Sequence, residues 1–151
     1  MRTKILIAVV ASVALVGCSS TSTALYRMTG KPPFNPEKPK VYVVQGNNKA
    51  YIVVDQEPIT FVKDSGNVKI KWQLQDSNYK FEKDSIKITA KPISGSKNPV
   101  SGCNPDGTGD SDYSCDNDTS VPGTFKYTIK VTPRNPGDPT PLPLDPSIVN
   151  N

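Results

Sequence analysis

The segment Val68-Lys69-Ile70-Lys71-Trp72-Gln73-Leu74 decides the fold, because apolar and polar residues alternate along it without a break. Successive side chains of a β-strand point to opposite faces, so this period of two predicts a strand with one face in a core. The residues expected to be buried are Val68, Ile70, Trp72 and Leu74. No window of the chain shows helical spacing of comparable quality.

Other strand-like segments surround this one, and turn-forming residues separate them. Gly46-Asn47-Asn48 predicts one turn, and Asp64-Ser65-Gly66-Asn67 predicts another directly before the Trp72 strand. Such regular spacing of short strands favours an antiparallel sandwich or barrel. We therefore expect one β-sandwich domain over residues 41–132. Besides residues 68–74, the strand-like segments are residues 41–44, 51–54, 59–62, 86–90 and 125–131.

Two of these strands resemble strands of immunoglobulin-like domains. Trp72, in mid-strand, resembles the core tryptophan of the third strand, and Gly123-Thr124-Phe125-Lys126-Tyr127-Thr128-Ile129-Lys130-Val131 resembles the late strand that carries a tyrosine. The inter-sheet disulfide of antibody domains is missing, because no cysteine lies near Val53. The expected fold class is therefore all-β, a small antiparallel immunoglobulin-like β-sandwich.

Proline-rich segments flank this domain. Residues 18–40 predict an extended tether, because proline fixes φ and favours the polyproline conformation. Within it, residues 24–28 are an alternative short docking segment. Residues 133–151 carry six prolines, and we expect a tail that is neither a helix nor a central strand and that lies in solvent or on the domain surface.

The first residues have the composition of an export signal. Arg2 and Lys4 precede residues 5–16, which contain only one polar member, Ser12. As a helix this apolar run would be about 18 Å long, too short to span a bilayer core. A secretory signal peptide over residues 1–17 fits this pattern.

Leu15-Val16-Gly17-Cys18 resembles the lipobox of bacterial lipoproteins. The resemblance implies that Cys18 becomes the mature N-terminus, carries diacylglycerol and further acyl chains such as palmitate, and anchors the protein to a membrane. Ser19 stands where an aspartate would indicate retention in the inner membrane, so the implied location is the outer membrane. Whether the domain faces the periplasm or the cell surface stays open.

The cysteine count agrees with export. The chain has three cysteines, and lipid on Cys18 leaves Cys103 and Cys115. In an oxidising compartment these two are expected to form a disulfide bond. Their spacing excludes a Cys-x-x-Cys zinc or redox motif.

The segment around this cysteine pair is acidic and contains no Lys or Arg. Asn104-x-Asp106-Gly107 partly matches a calcium loop, but Gly102 occupies the first ligand position and no glutamate lies at the twelfth. We therefore expect no metal. The preferred interpretation is a solvated hairpin loop, and the alternative is an interaction loop. Its aspartates are Asp106, Asp110, Asp112, Asp116 and Asp118.

Composition excludes several functional classes. The 151 residues are too few for a multi-domain enzyme, and the absence of histidine excludes catalysis by histidine. Without residues 1–17 the chain has 16 Lys and Arg against 14 Asp and Glu, which gives no case for nucleic-acid binding. The carboxylate pairs Asp55 with Glu57 and Glu82 with Asp84 occur where solvated acids are ordinary. We expect neither an enzyme nor a cofactor.

The sequence thus predicts a lipid-anchored cell-envelope lipoprotein that acts as a non-enzymatic binding or structural module. Its partners would be the membrane, through the lipid on Cys18, and an unidentified protein of the envelope. One alternative is an accessory lipoprotein of a secretion or envelope machine. Another is a periplasmic inhibitor of a hydrolase or toxin, with the acidic loop as its inhibitory plug.

Overall fold

The computed structural model describes residues 35–89, 97–107 and 109–151. The predicted signal peptide, Cys18, residues 18–34 of the predicted tether and Ala90 lie outside this part of the chain. Regular structure in the described residues is entirely β, which confirms the predicted class. Within the same residues, no helix has the length and apolar character needed to cross a membrane. The strands are β1 (Lys40–Gly46), β2 (Lys49–Val54), β3 (Ile59–Phe61), β4 (Asn67–Leu74), β5 (Tyr79–Lys80), β6 (Ile86–Ile88), β7 (Val100–Pro105), β8 (Asp112–Asp118), β9 (Gly123–Ile129), β10 (Thr132–Pro133) and β11 (Ser147–Asn150).

The strands form two main sheets, as in a small β-sandwich. One sheet has the order β2-β1-β4-β8-β7, the other has the order β3-β11-β9-β6, and β10 pairs with β5. Most pairs are antiparallel, as predicted, but β1–β4 and β3–β11 are parallel. This strand order does not confirm the immunoglobulin-like assignment, which remains a resemblance.

The core lies between the two main sheets and follows the alternation seen in the sequence. Ile70, Trp72 and Leu74 of β4 are buried, while Val68 at the start of the strand is half-buried and packs against the core. The inward residues of β9 are buried as well. The indole of Trp72 donates a hydrogen bond to the Tyr127 hydroxyl at 3.3 Å, and the two ring centroids are 5.4 Å apart. The central prediction about β4 is therefore confirmed.

The predicted turn after β1 closes a two-residue hairpin. Asn47 and Asn48 have φ angles of 53° and 60°, and Gly46 pairs with Lys49 across the turn. A hairpin turn of this kind requires positive φ at both central residues, and asparagine tolerates that conformation better than other non-glycine residues. The two asparagines thus fix the register of β1 against β2.

The predicted C-terminal tail is part of the fold, so the boundary at residue 132 was wrong. Strand β11 lies between β3 and β9 as a central strand of the four-stranded sheet. The physical reason is that the prolines stop at Pro146, so residues 147–150 have backbone N–H groups for a ladder. Before β11, Leu142 N–H bonds to the Ala50 carbonyl and Leu144 bonds to Ile129, which joins the edge of β2 to β9.

The end of the predicted tether also belongs to the domain. The carbonyls of Glu37 and Pro39 accept hydrogen bonds from the N–H groups of Lys71 and Gln73 in β4, at 2.8 and 2.9 Å. Pro39 is buried. Proline lacks an N–H group but keeps its carbonyl, so it can sit beside a strand as an acceptor. The ordered domain therefore extends over residues that composition alone marks as linker.

Candidate functional site

Strands β7 and β8 carry the predicted disulfide. Cys103 and Cys115 are bonded, with their Cα atoms 4.2 Å apart, which confirms the predicted pair. The bond crosses the hairpin between neighbouring strands, and Cys115 is buried while Cys103 is partly exposed. It therefore joins two strands of the sheet as well as closing the acidic loop.

A bulge in β7 shapes the backbone next to this bond. Ser101 pairs with Asp116 and Asn104 pairs with Ser114, so Gly102 and Cys103 together face Cys115. Gly102 has a φ of 63°, and a Cβ there would be 2.9 Å from the Asp116 carboxylate. Glycine fits because it adopts positive φ without a steric penalty.

Two of the five predicted loop aspartates form ion pairs with Lys71 of β4. Its ammonium lies 2.9 Å from Asp112 and 3.1 Å from Asp106. Hydrogen bonds to Asp112 and then to Asp106 raise the pKa of Lys71 above its ordinary value. A lysine on an outward position of the Trp72 strand thus holds both ends of the loop.

A third aspartate, Asp110, is held by Arg134 from the segment after β10. Both terminal nitrogens of the guanidinium contact the carboxylate, in the bidentate geometry that makes such pairs strong. This hydrogen bonding lowers the pKa of Asp110. Arg134 also donates to the Tyr79 carbonyl at 3.2 Å, so the pair connects the loop to β5.

The last two aspartates lie on β8. Asp118 accepts hydrogen bonds from the hydroxyl and the N–H of Ser120, at 2.6 and 3.1 Å, and the bond from the hydroxyl lowers its pKa. Asp116 is exposed and faces Gly102. Three of the five predicted residues therefore have cationic partners within the domain, which favours the hairpin interpretation over an exposed acidic plug.

No group of three or more His, Cys, Asp or Glu side chains in the described part of the chain has an arrangement that would hold a metal ion.

Glu82 and Asp84, one of the carboxylate pairs considered from the sequence, each have a different lysine as partner. Glu82 forms an ion pair with Lys80 at 2.9 Å, and Asp84 lies 3.7 Å from Lys87. Both are therefore occupied by neighbouring lysines.

The edge of β2 borders two surface cavities that sequence reasoning did not predict. A cavity of about 430 Å³ is lined by Pro36, Thr60 and the turn after β2, and a second of about 290 Å³ is lined by β2 and residues 144–146. The two cavities share Val54 and Glu57. We call them together the edge groove.

In the part of the chain that the structure describes, the charged residues that line the edge groove are all acidic: Asp55, Glu57 and Asp145. Asp55 accepts from the N–H of Lys40 at 2.8 Å, Asp145 accepts from the Thr128 hydroxyl, and Glu57 accepts from Ser147. Among the described residues, none of the three has a lysine or arginine nitrogen within 4 Å.

The near-continuous apolar run at residues 51–54 predicted β2 as a strand, but the pairing of its edges cannot be read from the sequence. Asp145 was assigned to a tail, so its approach to Glu57 was not expected. No protein-family model matches the chain, and no curated protein matches it.

Proposed function

We propose that this chain is an exported lipoprotein, anchored by lipid on Cys18 to the outer membrane, whose β-domain is a non-enzymatic binding or structural module. The observation that carries the proposal is the disulfide between Cys103 and Cys115. Disulfides persist in oxidising compartments, and this one accounts for two of the three cysteines. The third, Cys18, ends the lipobox-like segment.

The module role is supported by what the side chains do. Trp72, Tyr79 and Tyr127 are fully buried, so these aromatic side chains belong to the core. The acidic loop contributes three carboxylates to ion pairs within the domain. The titratable groups of the loop therefore stabilise the hairpin. Among the described residues, the carboxylates of the edge groove have no lysine or arginine nitrogen within 4 Å, and this difference supports binding there.

Mass spectrometry of the mature protein tests the anchor. We expect an N-terminal peptide that begins at Cys18 and carries acyl chains. The Cys18→Ala variant should remain unprocessed or appear in the soluble periplasmic fraction. Cys103→Ser with Cys115→Ser is the control, since it removes cysteines but should keep the lipid. Membrane retention of processed Cys18→Ala protein would refute the anchor.

A further inference from the structure

We propose that the edge groove binds an extended, basic peptide segment of a protein partner as an added β-strand. The inference rests on the proposed function, because it gives the binding module a partner of defined chemistry. Three features of the described residues carry it: a strand edge with no partner strand among them, an apolar floor and an acidic rim.

The unpaired edge follows from the hydrogen-bond pattern of β2. Asp55 N–H bonds to Lys40 across the hairpin, whereas the Ala50 carbonyl bonds to Leu142 on the opposite side. Because backbone groups alternate along an antiparallel strand, residue 54 directs its N–H and carbonyl outward, as residue 50 does. In the described residues, β1 is the only strand that pairs with β2, and no backbone bond outside that ladder involves Val54. A second strand can therefore pair here, in the mode of β-augmentation.

The floor of the groove is lined by the apolar residues Ile52, Val53, Val54, Leu144 and Pro146. The C-terminal segment occupies only part of the β2 edge. Leu142 pairs with Tyr51, and both side chains are substantially exposed, at 53% and 42%. Beyond that pair, the chain turns away to bond with β9 through Leu144. This leaves the edge from the Ile52 carbonyl to Val54 beside the cavity that Leu144 and Pro146 line. An incoming strand would continue the edge from the place where Leu142 leaves it.

The rim determines the charge of the partner. Asp55, Glu57 and Asp145 are its charged residues, and hydrogen bonds hold their carboxylates in place. The ammonium of Lys126 reaches the Ser147 hydroxyl that bonds Glu57, but Lys126 does not line either cavity. Opposite charge across an interface favours the correct partner and disfavours wrong ones. A segment with lysine or arginine at alternate positions therefore fits.

The test uses the full chain in detergent and a fluorescein-labelled peptide of sequence Lys-Val-Lys-Val-Lys, with binding measured by anisotropy. The matched peptide Glu-Val-Glu-Val-Glu should bind at least about tenfold more weakly, and added salt should weaken binding of the lysine peptide. Equal binding of the two peptides, or no binding of the lysine peptide, would overturn the inference.

Backbone pairing is tested separately with two N-methylated lysine peptides, one methylated at the valines and one at the second and third lysines. Alternate backbone amides of an extended peptide point to the same side, so either the valine amides or the lysine amides face β2. The peptide methylated on the facing amides should lose about tenfold in affinity, and the other should bind like the parent. Unchanged binding of both would exclude strand addition. A dimer of the chain that the peptide does not dissociate would also overturn the proposal, because a second copy would then occupy the edge.

The acidic rim is tested with Asp55→Asn and Asp145→Asn, each expected to weaken binding about three- to tenfold. Asp116→Asn is the control, because it removes one negative charge from β8, outside the groove, and should leave binding unchanged. An equal loss in all three variants would show nonspecific attraction and overturn the inference. Acylation of Cys18 is measured independently, so failure of peptide binding and failure of the lipid anchor are distinguishable.

Discussion

The side-chain amides of Asn117 and Asn150 hydrogen-bond to each other in both directions, with Nδ2–Oδ1 distances of 3.0 and 3.2 Å. Asn117 lies on β8 and Asn150 on β11, so the pair connects the two main sheets. Both residues are buried, and Asn150 also donates to the carbonyls of Asp118 and Val121. Buried polar groups are costly when unpaired, which makes this contact specific.

Replacing Asn150 with alanine should destabilise the domain by about 2–4 kcal/mol, because the Asn117 amide and two carbonyls lose a partner. Urea denaturation measures the change. Asn151→Ala, at an exposed position, is the control and should change stability by less than about 0.5 kcal/mol. Equal effects of the two variants would contradict the role of the buried pair.

Strand β11 should be essential for cooperative folding. Ile148 is fully buried, whereas Val149 is half-buried on the other face. Ile148→Ala is therefore expected to cost about 2–5 kcal/mol, and Val149→Ala clearly less. Chemical denaturation followed by circular dichroism gives both values. If Val149→Ala proves the more damaging change, the faces of β11 are assigned incorrectly.

Trp72 should be the most sensitive core position, because it is fully buried and its indole N–H has the Tyr127 hydroxyl as a partner. Trp72→Ala is expected to cost about 3–5 kcal/mol through the cavity it leaves. In the native protein the fluorescence of Trp72 should be blue-shifted relative to tryptophan in water. Emission like that of the free amino acid would contradict its burial.

Removing the disulfide with Cys103→Ser and Cys115→Ser should lower the free energy of unfolding by about 3 kcal/mol in the chain-entropy model. Thermal melting of the variant and of the oxidised protein gives the difference. If the loop is a structural hairpin, peptide binding at the edge groove should persist in the folded variant. A loss of binding beyond what instability explains would show that the hairpin takes part in recognition.

Stability should fall in acid partly through Asp110. The hydrogen bond from Arg134 lowers the pKa of Asp110 in the folded state. The resulting stabilisation is present above the unfolded pKa of about 4 and is lost as the pH falls through the folded value. Asp110→Asn should therefore show a slightly smaller loss of stability between neutral and acid pH in urea titrations.

The effect should be small, since both side chains are 39% exposed and solvent screens the pair. Arg134→Gln should flatten the acid dependence to the same extent, and the double variant should show no further change. Additive effects of the two substitutions would mean that the residues act independently.

Local patterns explain which parts of the fold can be predicted from sequence. The alternation of β4 and β9 reflects a strand with one buried face, and two asparagines specify the β1–β2 turn. The disulfide prediction depended only on the number of cysteines and the compartment. Each of these signals lies within a few residues or in the composition, so it can be recognised without knowing the tertiary contacts.

The remaining features depend on contacts between distant residues. Glu57 meets Ser147 ninety residues further along, and that contact accompanies the insertion of β11. Lys71 reaches Asp106 and Asp112 only because β4 lies beside β8. The acidic loop looked like a charged surface because its cationic partners, Lys71 and Arg134, come from distant parts of the chain. The aspartates and their charge can be read from the sequence, but the side chains that contact them cannot.

The position of β11 also has a consequence for the order of assembly. The four-stranded sheet cannot be completed early in synthesis, because β11 lies between β3 and β9 but follows every other described strand in the sequence. Until residue 150 is available, Ile59 and Phe125 lack the strand that covers their backbone groups. Loop-closure entropy makes such distant pairing slow. The domain should therefore reach its native state only after synthesis has passed residue 150.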